Sequence, residues 1–188
     1  MICYLIRHGQ DDETVRGGWS EQPLTEEGVL QSEALAAKIA DLPIKQVYTS
    51  DLIRALQTAQ IIAQNLELSV TPLPQFREVN NGKLAGMKND QALVHYPGLF
   101  WNQLGWEQNY PDGESPKAFF DRISNAWKVF SQRIISQNED VILVTHAGVI
   151  HVILTIAENR QYSNKDKQPN VKHAEVIALT YANSTWKV

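Results

Sequence analysis

The sequence predicts an α/β fold: a three-layer α/β/α sandwich around a mostly parallel central sheet, with an insertion over the functional end of that sheet. Three observations carry this expectation. Short apolar runs rich in β-branched residues recur at "ICYLI", "QVYT", "VILVT" and "EVIALTY", and these read as buried strands. Between them lie segments whose apolar residues fall at helical spacing. Residues 79–113 keep neither rhythm. Strands that alternate with helices imply parallel pairing, with helices covering both faces of the sheet.

The first strand covers residues 2–6, and the first helix follows "PLTEEG", with Leu35, Ile39 and Leu42 on one face. Thr25, followed by Glu26 and Glu27, supplies a capping oxygen and two carboxylates for the positive end of the helix dipole. After the strand at 46–49, Ser50 and Asp51 open a second helix marked by Leu52, Ala55, Leu56, Ala59 and Ala63. The stretch 79–113 is rich in Asn, Gly, Pro and large aromatics, and predicts a partly helical lid or pocket insertion. A long helix after "ESP" carries Phe119, Ile123, Ala126, Trp127, Phe130 and Ile134. Strands at 141–145 and 175–181 flank a polar surface loop at 163–172.

At 188 residues with 43% hydrophobic content, residues 1–188 are expected to form a single domain able to bury most of its surface. The net charge of −4 comes from scattered acids without a lysine or arginine block, which argues against a nucleic-acid partner. The lone cysteine, Cys3, sits in an apolar run, so no internal disulfide forms and a reducing compartment is expected. The run "MICYLI" stops at Arg7 without a signal-peptide pattern, and no segment approaches the roughly 20 apolar residues of a membrane span. A soluble, cytoplasmic protein with no membrane partner is the expectation; nothing in the sequence sets an oligomeric state.

Three strands end in the same chemical style. "YLIRHG" delivers Arg7 and His8, "VYTSDLIRALQTA" delivers Ser50 and Arg54, and "VILVTHAG" delivers His146. In a parallel sheet such exits share one edge, where open α/β folds hold their ligands. Arginine presents a fork of donors suited to phosphate or carboxylate oxygens, and helix N-termini add amides and dipole. A compact dianion fits such a site. A neutral imidazole among these cations resists protonation and keeps a nitrogen free to attack phosphorus. Singly, each residue has an ordinary explanation: a strand-end His8, a surface Arg54, a Glu78 paired with Arg77, a buried and hydrogen-bonded His146. Their joint occurrence points to a site.

"RHG", "TSDLIRALQTA", "FREVNNGKLAG" and "VTHAG", in that order along the chain, resemble the histidine phosphatase superfamily, the phosphoglycerate-mutase-like fold. The resemblance implies that His8 is the nucleophile and becomes phosphorylated, while Arg7, Arg54 and His146 clamp the phosphoryl oxygens. Glu78 would donate the proton to the leaving oxygen and then activate water, with an acid-to-neutral pH optimum. Gly9, Thr14, Ala147 and Gly148 are implied in substrate binding. No metal and no cofactor is implied, because protein donors neutralise the transferring group. His95, His151 and His173 read as structural or surface residues; His151 stands where relatives often carry an arginine.

The sequence departs from the family pattern in places. Asp11 and Thr14 replace residues that commonly help hold phosphate, and a carboxylate at Asp11 costs binding unless it turns away, is protonated or pairs with a cation such as Arg16. Ala147 replaces a glycine. In "PDGES", Asp112 replaces another glycine, which is expected not to need positive φ. Besides His95, only Lys83 and Lys88 are basic between Glu78 and Gly113, a thin supply for gripping a phosphoglycerate carboxylate. The expected function is hydrolysis of a small phosphomonoester. The alternatives are a phosphoglycerate-type mutase and a non-catalytic phosphate-binding regulatory module; a metal hydrolase using His8 and His146 is opposed by the flanking arginines. Tyr96, Phe100, Trp101, Trp106 and Tyr110 either line a leaving-group pocket or pack the insertion onto the sheet.

Overall fold

A computed structural model describes residues 1–167 and 169–188. Its centre is a six-stranded sheet formed by β1 (Ile2–Arg7), β2 (Gln46–Thr49), β3 (Val70–Pro72), β4 (Val141–Thr145), β5 (Val176–Ala182) and β6 (Thr185–Lys187). The strand order is β3-β2-β4-β1-β5-β6. β1, β2 and β3 pair in parallel with their neighbours through β4 and β2, whereas β5 and β6 run antiparallel. The mostly parallel sheet therefore carries an antiparallel edge. β3 and β6, three residues each, are too short to show a pattern in the sequence.

The helices are α1 (Glu26–Lys38), α2 (Ile53–Asn65), α3 (Asn89–His95), α4 (Pro116–Gln137) and α5 (Ala147–Ala157). Period-two alternation sorts the sheet residues between two cores. Tyr4, Ile6, Ile142 and Val144 pack with Leu35, Ala55, Ala59 and Ile62 of α1 and α2. Cys3, Leu5, Val141 and Leu143 pack with Phe119, Ile123, Phe130 and Ile134 of α4 and with Val149 and Ile153 of α5. This is the three-layer arrangement. α5 has no polar face from Gly148 to Thr155, all buried, so the sequence shows no amphipathic period there.

Local chemistry sets the helix starts, with one correction. The side chains of Thr25 and Ser115 accept from Gly28 N and Ala118 N and cap α1 and α4. Ser50 does not cap α2, which begins after Leu52 without a side-chain cap. α1 also stops at Lys38, short of Leu42, which still packs against the core.

Residues 79–113 form α3, short 3-10 turns at Gly82–Leu84 and Trp101–Gln103, and loops. Leu84, Leu104 and Tyr110 give this insertion a small core of its own, against which Tyr96 and Trp101 pack. Asp112 has φ +56°, so the "PDG" turn does place a side-chain-bearing residue in the left-handed region, against expectation. No helix of the described residues is long and apolar enough to cross a membrane.

Gly9 and Gly28 bring the end of β1 against α1. A Cβ on Gly9 would collide with the Gly28 carbonyl oxygen and lie 2.7 Å from Ser32 Oγ, and one on Gly28 would collide with the backbone of Gln10. Glycine is thus required at Gly9 for helix–strand packing. Gly28→Ala should destabilise by about 1–3 kcal/mol, roughly 2–12 °C in Tm by calorimetry; an unchanged Tm would mean that the crossing relaxes freely.

Candidate active site

The C-terminal ends of β1, β2 and β4 meet at one edge of the sheet, since β4 lies between the other two. His8 N–H donates to Thr145 O at 3.0 Å, which fixes the first strand exit against the third. The rings of His8 and His146 stand 5.1 Å apart, centroid to centroid. His8 Nδ1 lies 2.7 Å from its neighbour's carbonyl, Gly9 O. A carbonyl only accepts, so the ring proton sits on Nδ1 and the Nε2 lone pair is left for the site. Arg54 Nε donates to that Nε2 at 3.2 Å.

Arg54 projects from the first turn of α2 and is 2% exposed, its guanidinium held at the rim of the cage with one Nη2 hydrogen uncommitted among the described residues. It donates to Gly18 O at 2.8 Å and to Ser20 O at 3.1 Å, and it lies 3.4 Å from Asp11 Oδ2. Burial holds His8 and His146 well below the ordinary imidazole range, and the charge of Arg54 pushes both the same way. Both rings are therefore neutral at neutral pH.

Arg7, the last residue of β1, donates to Val171 O at 2.7 Å and to His173 Nε2 at 2.7 Å. His146 Nε2 lies 2.8 Å from Ser50 Oγ, which also accepts weakly from Leu52 N–H at 3.4 Å. The hydroxyl that was expected to cap α2 orients the second histidine instead. Arg7 Nε and His146 Nδ1 remain buried without a protein partner.

Glu78 reaches the same cleft from the loop after the 3-10 turn Pro74–Phe76. Its Oε1 accepts from Val79 N–H and its Oε2 from Gly148 N–H, each at 3.0 Å. The loop beneath it is braced. Arg122 of α4 donates to Gln75 O, Arg77 O and Glu78 O at 2.9, 2.9 and 3.1 Å, and pairs with Glu114 at 2.6 Å. Trp19 Nε1 donates to Glu78 O at 2.7 Å, and Arg77 is held by both oxygens of Asp51 at 2.6 Å.

Several sequence expectations change. Thr14 is exposed and donates to Asp12 Oδ1 at 2.7 Å, away from the cage. Gly148 N–H is committed to Glu78, and a Cβ at that position would collide with the carboxylate, so this glycine makes room for Glu78 and offers substrate no amide. Gly9 N–H goes to Thr58 Oγ1 at 3.0 Å. Ala147 does line a small cavity beside Glu78. Asp11 pairs with Arg54; Arg16 lies over the Phe100 ring at 4.7 Å.

His173, expected to be structural or on the surface, stands 5.7 Å from the His8 ring and holds Arg7. Only the fold of a distant loop puts it there, and no local pattern signals it. His151 is buried against Tyr162, and His95 is exposed at the end of α3. Ser50 lay within the quoted helix-start motif; Arg122 and Glu114 carried no signal of their role. His8, Asp11 and His173 offer ligand atoms within 4.8 Å of one another. Arg7 and Arg54 engage the same lone pairs, and two fixed positive charges oppose a dication there.

The sheet order, the strand-exit cluster and the bracing of Glu78 place two arginines, two neutral histidines and a glutamate at one edge of an α/β sandwich. The chain belongs to the histidine phosphatase superfamily (branch 1), whose sequence model matches residues 3–188. It is 28% identical over 193 residues to the uncharacterized phosphatase PhoE of Bacillus subtilis, covering 100% of this chain and 91% of that protein. It is 27% identical over 194 residues to the probable phosphoglycerate mutase GpmB of Proteus mirabilis, covering 99% and 87%. The solved structure of Bacillus stearothermophilus YhfR superposes with a TM-score of 0.87 at 24% identity, over 100% of this chain and 94% of that one, which shows the shared fold.

Two outcomes follow from the site's charges. The unfolded chain titrates its histidines near pH 6.5, while buried His8 and His146 stay neutral below that, so unfolding takes up protons as the pH falls. Stability measured by urea unfolding should therefore be higher at pH 7.5 than at 5.5, and His146→Gln should flatten the slope; an equally steep slope in the variant would remove His146 as a source. Asp11→Asn removes the carboxylate that competes for Arg54, and calorimetry should find inorganic phosphate bound about tenfold tighter, roughly 1.4 kcal/mol.

Proposed function

We propose that residues 1–188 act as a single histidine-phosphatase domain that hydrolyses a small phosphomonoester through a phosphohistidine on His8. The observation that supports this best is the set tautomer of His8, which holds an Nε2 lone pair inside a buried cage of two arginines and a second neutral histidine. Nε2 attacks phosphorus and the bond to the leaving oxygen breaks. Arg7, Arg54 and His146 Nδ1–H meet the charge on the equatorial oxygens, and Glu78 gives its proton to the leaving oxygen. Glu78 then takes a proton from water as that water attacks the phosphohistidine, which releases phosphate and restores His8. The protein's own donors do the neutralising, so no step in this scheme needs a metal.

Hydrolysis is favoured over mutase chemistry by the cations near Glu78. Lys83 is exposed and pairs with Asp112 at 3.3 Å, Lys88 is exposed, and every guanidinium N–H of Arg122 is spent on the Glu78 loop and Glu114. Among the described residues, neither Lys83 nor Arg122 is left free to grip a substrate carboxylate. The named relatives include both a phosphatase and a mutase, so the choice rests on these contacts. A cytoplasmic setting agrees with the single buried Cys3.

A phosphomonoester panel tests the scheme. His8→Ala should abolish turnover and the trapping of labelled phosphate on histidine in a rapid quench. Glu78→Ala should slow alkyl phosphates by about 10²–10⁴-fold while partly sparing activated aryl phosphates, whose leaving groups need no proton. Equal losses on both substrate types would remove Glu78 as the acid, and binding of phosphate without any trapped phosphohistidine would leave a non-catalytic module.

A further inference from the structure

Beside Glu78 lies a cavity of about 210 Å³ lined by Glu78, Val79, Trp101, Phe119, Ala147 and Gly148. Resting on the hydrolase reading above, we propose that this cavity receives the leaving group and selects an uncharged, ring-sized apolar alcohol or phenol over a carboxylated one.

Position comes first. A proton donor must lie next to the leaving oxygen, and Glu78, which lines this cavity, is held by the N–H of Gly148, two residues after His146. Size comes next. Pockets that enclose a whole drug-sized ligand span about 300–1,000 Å³. The cavity is smaller, and it suits one ring or a short chain.

Its surface is apolar apart from the Glu78 carboxyl, and no cationic side chain lines it. Trp101 and Phe119 meet edge to face at 5.4 Å, which offers an incoming ring both an indole and a phenyl wall. The amide that would have been available at the start of α5, Gly148 N–H, already serves Glu78. Arg122 lies over the Phe119 ring at 5.3 Å, but its donors are all committed. A carboxylate placed here would lose its water, gain no counter-charge and face the Glu78 side chain. An aromatic or aliphatic group meets none of these costs.

Binding of two phosphonates by the full chain separates the subsite from the chemistry, because neither has a cleavable P–O leaving bond. Benzylphosphonate presents a ring, and 3-phosphonopropionate presents a carboxylate on a short chain. Calorimetry should find the benzyl compound bound about tenfold tighter, Trp101→Ala should erase most of that ratio, and Trp101→Phe should keep it within about twofold. Val79→Arg, which adds the missing counter-charge, should reverse it. A wild-type ratio near one, or a ratio untouched by Trp101→Ala, overturns the proposal. So does preference for the carboxylate that disappears in Arg16→Ala, since it would move selectivity to the opening on the other side of Trp101, where Arg16 and Lys165 lie. Tight binding of benzylphosphonate without turnover of benzyl phosphate would support the subsite while removing the hydrolase reading.

Discussion

A guanidinium buried to 2% exposure beside two neutral imidazoles is the constraint on which the rest of the structure depends. A buried charge is tolerated only when it is paired and hydrogen-bonded. Arg54 meets that condition through the carbonyls of Gly18 and Ser20, through Asp11 and through the His8 ring. Segments 18–20, the first turn of α2 and the end of β1 are thereby tied together around one charge. The same charge, with burial, keeps His8 and His146 unprotonated. A cage with that much positive potential and the His8 Nε2 lone pair suits an anion that can be attacked.

The backbone around the cage is shaped by glycines that serve neighbours. Gly9 lets β1 pass against Gly28 of α1, and Gly148 leaves the space that the Glu78 carboxylate occupies. Both positions, implied in substrate binding by their place in "RHG" and "HAG", also meet a packing requirement in the structure. Arg122 plays the corresponding part for the loop, gathering the carbonyls of residues 75, 77 and 78. A loop whose carbonyls are held this way cannot drift without breaking several charge-assisted hydrogen bonds at once.

The aromatics of the insertion divide between the two readings that the sequence allowed. Tyr110 is buried with Leu84 and Leu104, and Tyr96 packs beside them, so these hold the insertion together. Trp101 faces the cavity beside Glu78, while Phe100 carries Arg16 on its ring. Trp106 lies near Phe120 and Tyr162, on a separate opening. Composition had no means of dividing them, because side chains of one chemical kind fill both roles.

The sequence by itself determined the layers and the edge. Apolar runs at 2–6, 46–49 and 141–145, each ending in a polar residue, dictate parallel strands whose exits collect His8, Ser50, Arg54 and His146. That information is local, carried by periodicity and by where it stops. Only the tertiary structure decided that His173 would sit by Arg7, that Asp11 would turn to Arg54 instead of Arg16, that Thr14 would face solvent, and that α5 would be wholly buried. Those outcomes depend on pairings between residues far apart along the chain. No residue's own type or spacing encodes which partner the fold will bring to it.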